Sequence, residues 1–186
     1  MKITFSVSSQ RMPEEQVLRK LKEDWGYERA PRDSPDRNLT FVAPRREYYI
    51  AIITSPKEYE GKIAGYCGIG FYDDILTDSG AYTLGGKAMG KGTVVDLREN
   101  GVYTTLRNIR NDAVESMADA KGVPFLVLLG LKSNAHGYYR SRGYVENSKN
   151  VPEWCLNKME GTGKSWFVYN ENDEAMKKAW DIIKGD

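Results

Sequence analysis

Apolar and polar residues alternate over Ile3 to Val7, the period of a half-buried strand. The period then changes. In PEEQVLRKLKEDWGY, Val17, Leu18, Leu21 and Trp25 recur at helical spacing, Pro13 and the acids Glu14 and Glu15 mark the start, and Gly26 marks the stop. The proline-rich, charged stretch APRDSPDRN predicts an exposed loop, and strands are expected over Tyr48 to Thr54 and Lys62 to Tyr72, with a turn around Pro56 between them. Glycines at 65, 68 and 70 in the second of these suggest bulges or close backbone approach. DDILTDSG is turn-rich and leads toward a strand at Thr93 to Leu97. From Thr105 to Ala120 the residues Leu106, Ile109, Ala113, Val114 and Met117 share one face, with Arg107, Arg110, Asp112 and Glu115 off it, so a helix of about four turns is predicted, ended by Gly122 and Pro124.

Phe125 to Leu129 is the most uniformly apolar run in the chain and fits a central strand covered on both faces. A short helix over Asn134 to Ser141, a strand at Tyr144 to Glu146, a loop, a strand at Ser165 to Tyr169 and a final helix from Asp173 to Ile183 complete the pattern. Strands alternate with helices and flank them at both ends, which describes an α/β or α+β chain, a mixed sheet with helices on its faces. With 186 residues, 40% of them apolar, and no domain boundary or repeat, one globular unit over 1–186 is expected.

Composition narrows the function classes. The 27 basic and 26 acidic residues leave a net charge of +1, too small a field to attract nucleic acid or an anionic membrane, so neither partner is expected. Cys67 and Cys155 are far apart with no CxxC spacing, which predicts reduced, partly buried thiols rather than a zinc site or a disulfide scaffold. No stretch approaches the length of a membrane span or a signal sequence, and the expectation is a soluble cytoplasmic protein, a monomer or a homodimer. GGKAMGKGT resembles a phosphate-binding loop, but Gly92 stands where Ser or Thr must bind magnesium; EGTGKSW has Lys158 in place of the first glycine. Neither supports nucleotide hydrolysis.

Two segments carry chemistry. RENGVYTT follows an expected strand and opens a helix, where unpaired N–H groups and the positive end of a dipole can cradle a phosphate; the plainer alternative is a surface turn. SNAHGYYRSRGY follows the apolar strand. Together, in order and spacing, they resemble the GNAT (GCN5-related) N-acetyltransferase family. Arg98 and Gly101 match the family's first signature, while Tyr103 stands where it has a second small residue. Asn134, Ala135, Tyr138, Tyr139, Gly143 and Tyr144 follow its second.

The resemblance implies a mostly antiparallel central sheet flanked by helices, acetyl-CoA as co-substrate, and an amine on a small molecule or peptide as acceptor. It implies that pantetheine lies along Gly92, Thr93 and Val95, and that the pyrophosphate sits on the turn, Arg98, Asn100, Gly101, Val102, Tyr103 and Thr104 being the residues concerned. Glu99 places a negative charge there, which Arg98 and Arg107 could offset. Tyr139 falls where the family protonates the leaving thiolate; otherwise it and Tyr138 are aromatic packing. Asn134 contacts pantetheine or nearby backbone, or caps the helix. Asp96 is the favoured general base, with Asp73, Asp74 or a water relay as alternatives. His136 reads as a surface or capping group. The stretches Arg29 to Arg46 and Asn147 to Lys164 are the least family-like and are where an acceptor pocket would be built, Trp154 and Trp166 being possible walls. The competing function is a GNAT-fold binding or regulatory module with weak or no CoA affinity; a third is an enzyme using another acyl donor.

Overall fold

A computed structural model of the chain describes residues 1–26, 43–73, 75–83, 97–130, 134–146 and 149–184. It is a mixed α/β structure, as the alternating pattern predicts. The chain divides into two compact units, each assembled from three stretches: Met1–Arg32, Arg46–Ile69 and Ser79–Asp112 in the first, Asp33–Arg45, Gly70–Asp78 and Ala113–Asp186 in the second.

In the first unit, strand β1 (Thr4–Val7) pairs antiparallel with β3 (Arg45–Ser55), as does the two-residue β2 (Met12–Pro13), and β4 (from Ile63, to Tyr72) follows β3 in the sheet. Helix α1 (Glu14–Trp25) starts directly after Pro13, whose φ of −57° suits a helix entrance. Its acids do more than favour the helix dipole: Glu14 accepts from Arg46 Nη2 at 2.7 Å and from the Tyr48 hydroxyl at 2.9 Å. At the other end Asp24 accepts the Ile63 N–H, and Trp25 Nε1 donates to the Ile63 carbonyl. Gly26, at φ 64°, closes the helix in the left-handed conformation that glycine adopts without a Cβ penalty. Val17 and Leu21, predicted on the apolar face, are buried.

Helix α2 (Val102–Lys121) begins three residues earlier than its pattern suggested. Its buried side also differs. Val102, Leu106, Arg110, Val114 and Ala118, spaced by four, are almost inaccessible, whereas Ile109 is exposed. Arg110 was expected off the apolar face; it is 1% exposed, its Nε donating to Asn111 Oδ1 at 2.7 Å and its Nη1 to the Gly68 carbonyl at 3.1 Å. A charge tolerates such burial when its donors are met.

In the second unit the order runs from β5 (Ile75–Thr83), whose residues up to Asp78 belong to it, through β6 (Phe125–Gly130) and β8 (Lys164–Tyr169) to β7 (Val145–Glu146). β5 and β6 are parallel, whereas β8 runs antiparallel to both β6 and β7. With the ladders of β3, four of the five described registers are antiparallel, the mostly antiparallel arrangement expected. β5 corrects the reading of DDILTDSG as a turn: only the tight reversal at Asp73, φ 52°, is one, and Leu76 and Thr77 already pair with Phe125 and Leu126. Polar residues at 77–79 concealed the strand. A second correction lies in 147–164, read as a loop: helix α4 (Glu153–Met159) follows Pro152, presenting Cys155 and Met159 to the core. That core joins Leu126, Val168, Val151, Met176 and Trp180. Helix α3 (Ala135–Ser141) precedes β7, and α5 (Asp173–Lys184) ends the chain, its entrance capped by Asn172 Oδ1 accepting the Ala175 N–H. Both cysteines are buried thiols outside any disulfide. Among the described residues, no helix is long and apolar enough to cross a membrane.

Candidate functional site

The first candidate segment is the turn that opens α2. Leu97 is fully buried and anchors its start, while Arg98, Glu99 and Gly101 stand in solvent. Glu99 (φ 69°) and Gly101 (φ 77°) both occupy the left-handed region, and with Asn100 between them they reverse the chain sharply. The first bond within the helix is from Thr105 N–H to the Gly101 carbonyl, 3.0 Å. The amides of Val102, Tyr103 and Thr104 therefore precede any intrahelical acceptor, as in every helix start. No acid occupies the first turn. The dipole's positive end is thus left to whatever anion approaches, with Glu99 the one carboxylate on the turn.

The predicted side chains divide here by task. Asn100 is a structural tie: its Oδ1 accepts the Ile3 N–H at 3.0 Å, and its Nδ2 donates to the carbonyls of Met1, Leu97 and Arg98 at 2.9, 3.0 and 3.2 Å. Its side-chain hydrogens are thereby committed to its own chain, so its contribution to a ligand is through the backbone. Val102 is buried at 1% exposure and plugs the helix into its core. Tyr103, the departure from the signature, is 41% exposed, with the Arg107 guanidinium 5.4 Å from its ring centre. Helical side chains lean toward the N-terminus, so Arg107 reaches back one turn and brings its charge toward the turn. Arg98 and Arg107 both stand on the side of the ledger opposite Glu99. Thr93, Val95 and Asp96, with Asp74, lie outside the described residues.

The second segment is more tightly held. Asn134 is exposed in a helical conformation just ahead of α3 and makes no side-chain capping bond, which removes the capping alternative. Tyr139 is 2% exposed, with Tyr144 at 4.8 Å, Tyr138 at 5.2 Å and Phe167 at 6.1 Å between ring centres. Tyr144 continues the cluster to Tyr169 and Phe125 at 5.2 and 6.0 Å. Gly143, φ 86°, allows the reversal in which the Tyr144 N–H returns to the Tyr139 carbonyl.

Sequence reasoning missed Glu115, which organises this segment. Its two oxygens take Arg142 as a fork, Nε at 2.8 Å and Nη2 at 2.6 Å, and Oε1 also accepts the Tyr144 hydroxyl at 2.9 Å. A carboxylate on the flank of a long helix looks solvated in a sequence; nothing local marks it as the partner of residues about 27 positions away. Glu146 has a parallel role. It pairs with Arg140 and accepts from Ser165 Oγ at 3.2 Å, and the Arg140 hydrogen bond holds its carboxyl below the usual range. His136 sits between, one ring nitrogen 2.8 Å from the Gly130 carbonyl and the other 3.8 Å from Glu146, with its ring 5.0 Å from that of Phe167. It closes the end of β6. Asp73 is exposed at the β4–β5 reversal. Trp166 is buried in the core at 3% exposure, its indole N–H on Cys155 sulfur at 3.2 Å, so it is no pocket wall.

No family model matches the chain, and no curated protein matches it. Solved structures resemble it in chain path. The ribosomal-protein-S18-alanine N-acetyltransferase of Escherichia coli is 16% identical, over 89% of this chain and 91% of its own, with a TM-score of 0.45. A GNAT-family acetyltransferase of Staphylococcus aureus is 11% identical over 89% and 98%, TM-score 0.44. An acetyltransferase of Streptococcus agalactiae is 12% identical over 88% and 96%, TM-score 0.46.

Proposed function

We propose that the chain is an acetyl-CoA-dependent N-acetyltransferase acting on a primary amine. The observation that carries this reading is the turn at 98–101, where left-handed Glu99 and Gly101 present the first amides of α2 free of any first-turn acid. The turn suits a pyrophosphate: the amides of Val102 to Thr104 supply donors, Gly101 allows close approach, and Arg98 and Arg107 supply charge. A Cβ built on Gly101 meets nothing within 4 Å, so the outer side of the turn is open.

Acetyl-CoA bound there supplies the activated acyl group. On the family resemblance, the backbone of Thr93 and Val95 and the amide of Asn134 hold the pantetheine arm. The amine nitrogen attacks the thioester carbonyl, the C–S bond breaks, Asp96 takes the amine proton, and the Tyr139 phenol returns one to the departing sulfur. The surroundings of Tyr139 support this role in one respect, since rings on three sides exclude water from the phenol-bearing side chain. The same burial favours the second reading, a binding module in which Tyr139 only packs.

Calorimetric titration with acetyl-CoA tests the first step; absence of binding at millimolar acetyl-CoA refutes the enzyme. Release of free CoA over a panel of polyamines, aminoglycosides, amino acids and peptide N-termini then identifies the acceptor. A Tyr139→Phe variant is expected to lose about tenfold or more in turnover while binding acetyl-CoA as before. Weak or absent binding, with no turnover on any acceptor, favours the module.

A further inference from the structure

The second unit holds a cleft that the proposed reaction does not use. Its volume is about 300 Å³, at the lower end of the range that holds small organic ligands. The cleft forms where α2 gives way to β6. Gly122, φ 64°, ends the helix with its N–H on the Asp119 carbonyl at 3.4 Å and the Val123 N–H on that of Ala118 at 3.0 Å, while Asn170 Nδ2 fastens both the Ala118 and Val123 carbonyls. The chain is thereby held in a tight reversal, and Val123 and Pro124 join Ile75 and Ile182 as an apolar lining.

Its charged lining is unequal. Asp73 and Glu174 contribute carboxylates and Lys178 one ammonium, all three in solvent-exposed positions. Glu174 and Lys178 are four residues apart on α5, near enough to offset one another, so the excess charge is that of Asp73. Both helix ends at the cleft are capped: the Ala118 and Asp119 carbonyls of α2 by Val123, Asn170 and Gly122, and the N–H groups of Ala175 and Met176 of α5 by Asn172, so the side chains set the charge of the lining. An apolar lining with a net negative edge complements one chemistry: an ammonium on a hydrocarbon body.

We propose that this cleft binds a monocationic amine with an apolar body, its ammonium toward Asp73 and Glu174 and its hydrocarbon against Ile75, Val123, Pro124 and Ile182. The site is independent of the acetyl transfer proposed above. The test uses the full chain, isotopically labelled, titrated with phenethylamine and with its uncharged and anionic counterparts, 2-phenylethanol and 3-phenylpropanoate. Saturable amide shifts are expected at 122–123 and 174–178, with the alcohol at least about fivefold weaker and the carboxylate weaker still. Asp73→Asn keeps a residue type that tolerates φ 52°, and Glu174→Gln keeps the helix start; each is expected to weaken the amine by about two- to fivefold and leave the alcohol unchanged. Ala175→Phe, which fills the cleft from α5 without touching a charge, is expected to abolish the shifts with both ligands. Melting temperatures confirm that the variants are folded. The proposal is overturned if phenethylamine gives no saturable shifts there, if the alcohol binds equally, if the carboxylate binds best, or if neither charge variant changes the amine.

Discussion

The two stretches that carry the family resemblance are built on opposite principles. The turn at 98–101 and the helix start after it are shaped by backbone: two left-handed residues, one asparagine whose side chain ties only to main-chain groups, and exposed side chains at 98, 99, 103 and 104. The stretch at 134–146 is shaped by side chains: a cluster of six tyrosine and phenylalanine rings, an Arg142–Glu115 fork and an Arg140–Glu146 pair. A backbone-shaped turn leaves its side chains available to a ligand, whereas a side-chain lattice spends them on its own position. Residues of one chemical type should therefore answer differently to mutation in the two places.

Tyrosine allows that comparison at a single residue type. Tyr144 is 4% exposed, touches three rings and donates to Glu115, so Tyr144→Ala removes packing and leaves a carboxylate short of a donor. A loss of about 3–5 kcal/mol is expected. Tyr103→Ala removes a 41% exposed ring and its contact with Arg107, for about 0.5 kcal/mol. Denaturant unfolding of both variants checks the contrast, and comparable losses would erase the distinction between the regions. In acetyl-CoA titrations of the folded Tyr103→Ala variant, Arg107 loses the ring that orients it, and weaker binding is the expected result.

Between these extremes lies Gly101→Ala. Nothing stands within 4 Å of the added methyl, so its whole effect is the cost of φ 77° for a residue with a Cβ, about 1 kcal/mol. The structural cost is modest, but the ligand effect should be larger if the turn's backbone makes the anion site. A variant that melts slightly earlier and binds acetyl-CoA unchanged would show that the turn is only a turn.

This contrast also explains what was legible in the sequence. Amphipathic periodicity located α1, α3 and α5 to within a residue or two, because their buried positions are apolar. It misplaced the buried side of α2, because Arg110 and Asn111 lie inside where hydrophobic counting cannot see them. It missed β5, whose strand is set by pairing to Phe125 and Leu126 rather than by its own composition. For the candidate site, glycine and aromatic spacing singled out both segments, while Glu115 and Glu146, the partners that hold the second, became visible only in three dimensions.

Glu146 gives the smallest effect and the most specific one. Its hydrogen bond with Arg140 is the leading cause of a carboxyl held below its usual range, so its folded value lies below its unfolded one. A group shifted in that direction adds stability above the unfolded value, near 4.5, and loses it as pH falls through the folded value. The Arg140 side chain is 58% exposed, so solvent and salt screen the pair and the stability change is slight. Arg140→Ala should therefore move the Glu146 carboxyl titration upward, read by carbon NMR, and flatten the difference in melting temperature between pH 6 and pH 3. In the variant, burial continues to disfavour the ionised form while Ser165, and His136 at 3.8 Å from the carboxylate, continue to favour it. If the Glu146 titration does not move when Arg140 is removed, the Arg140 contact is not what sets it.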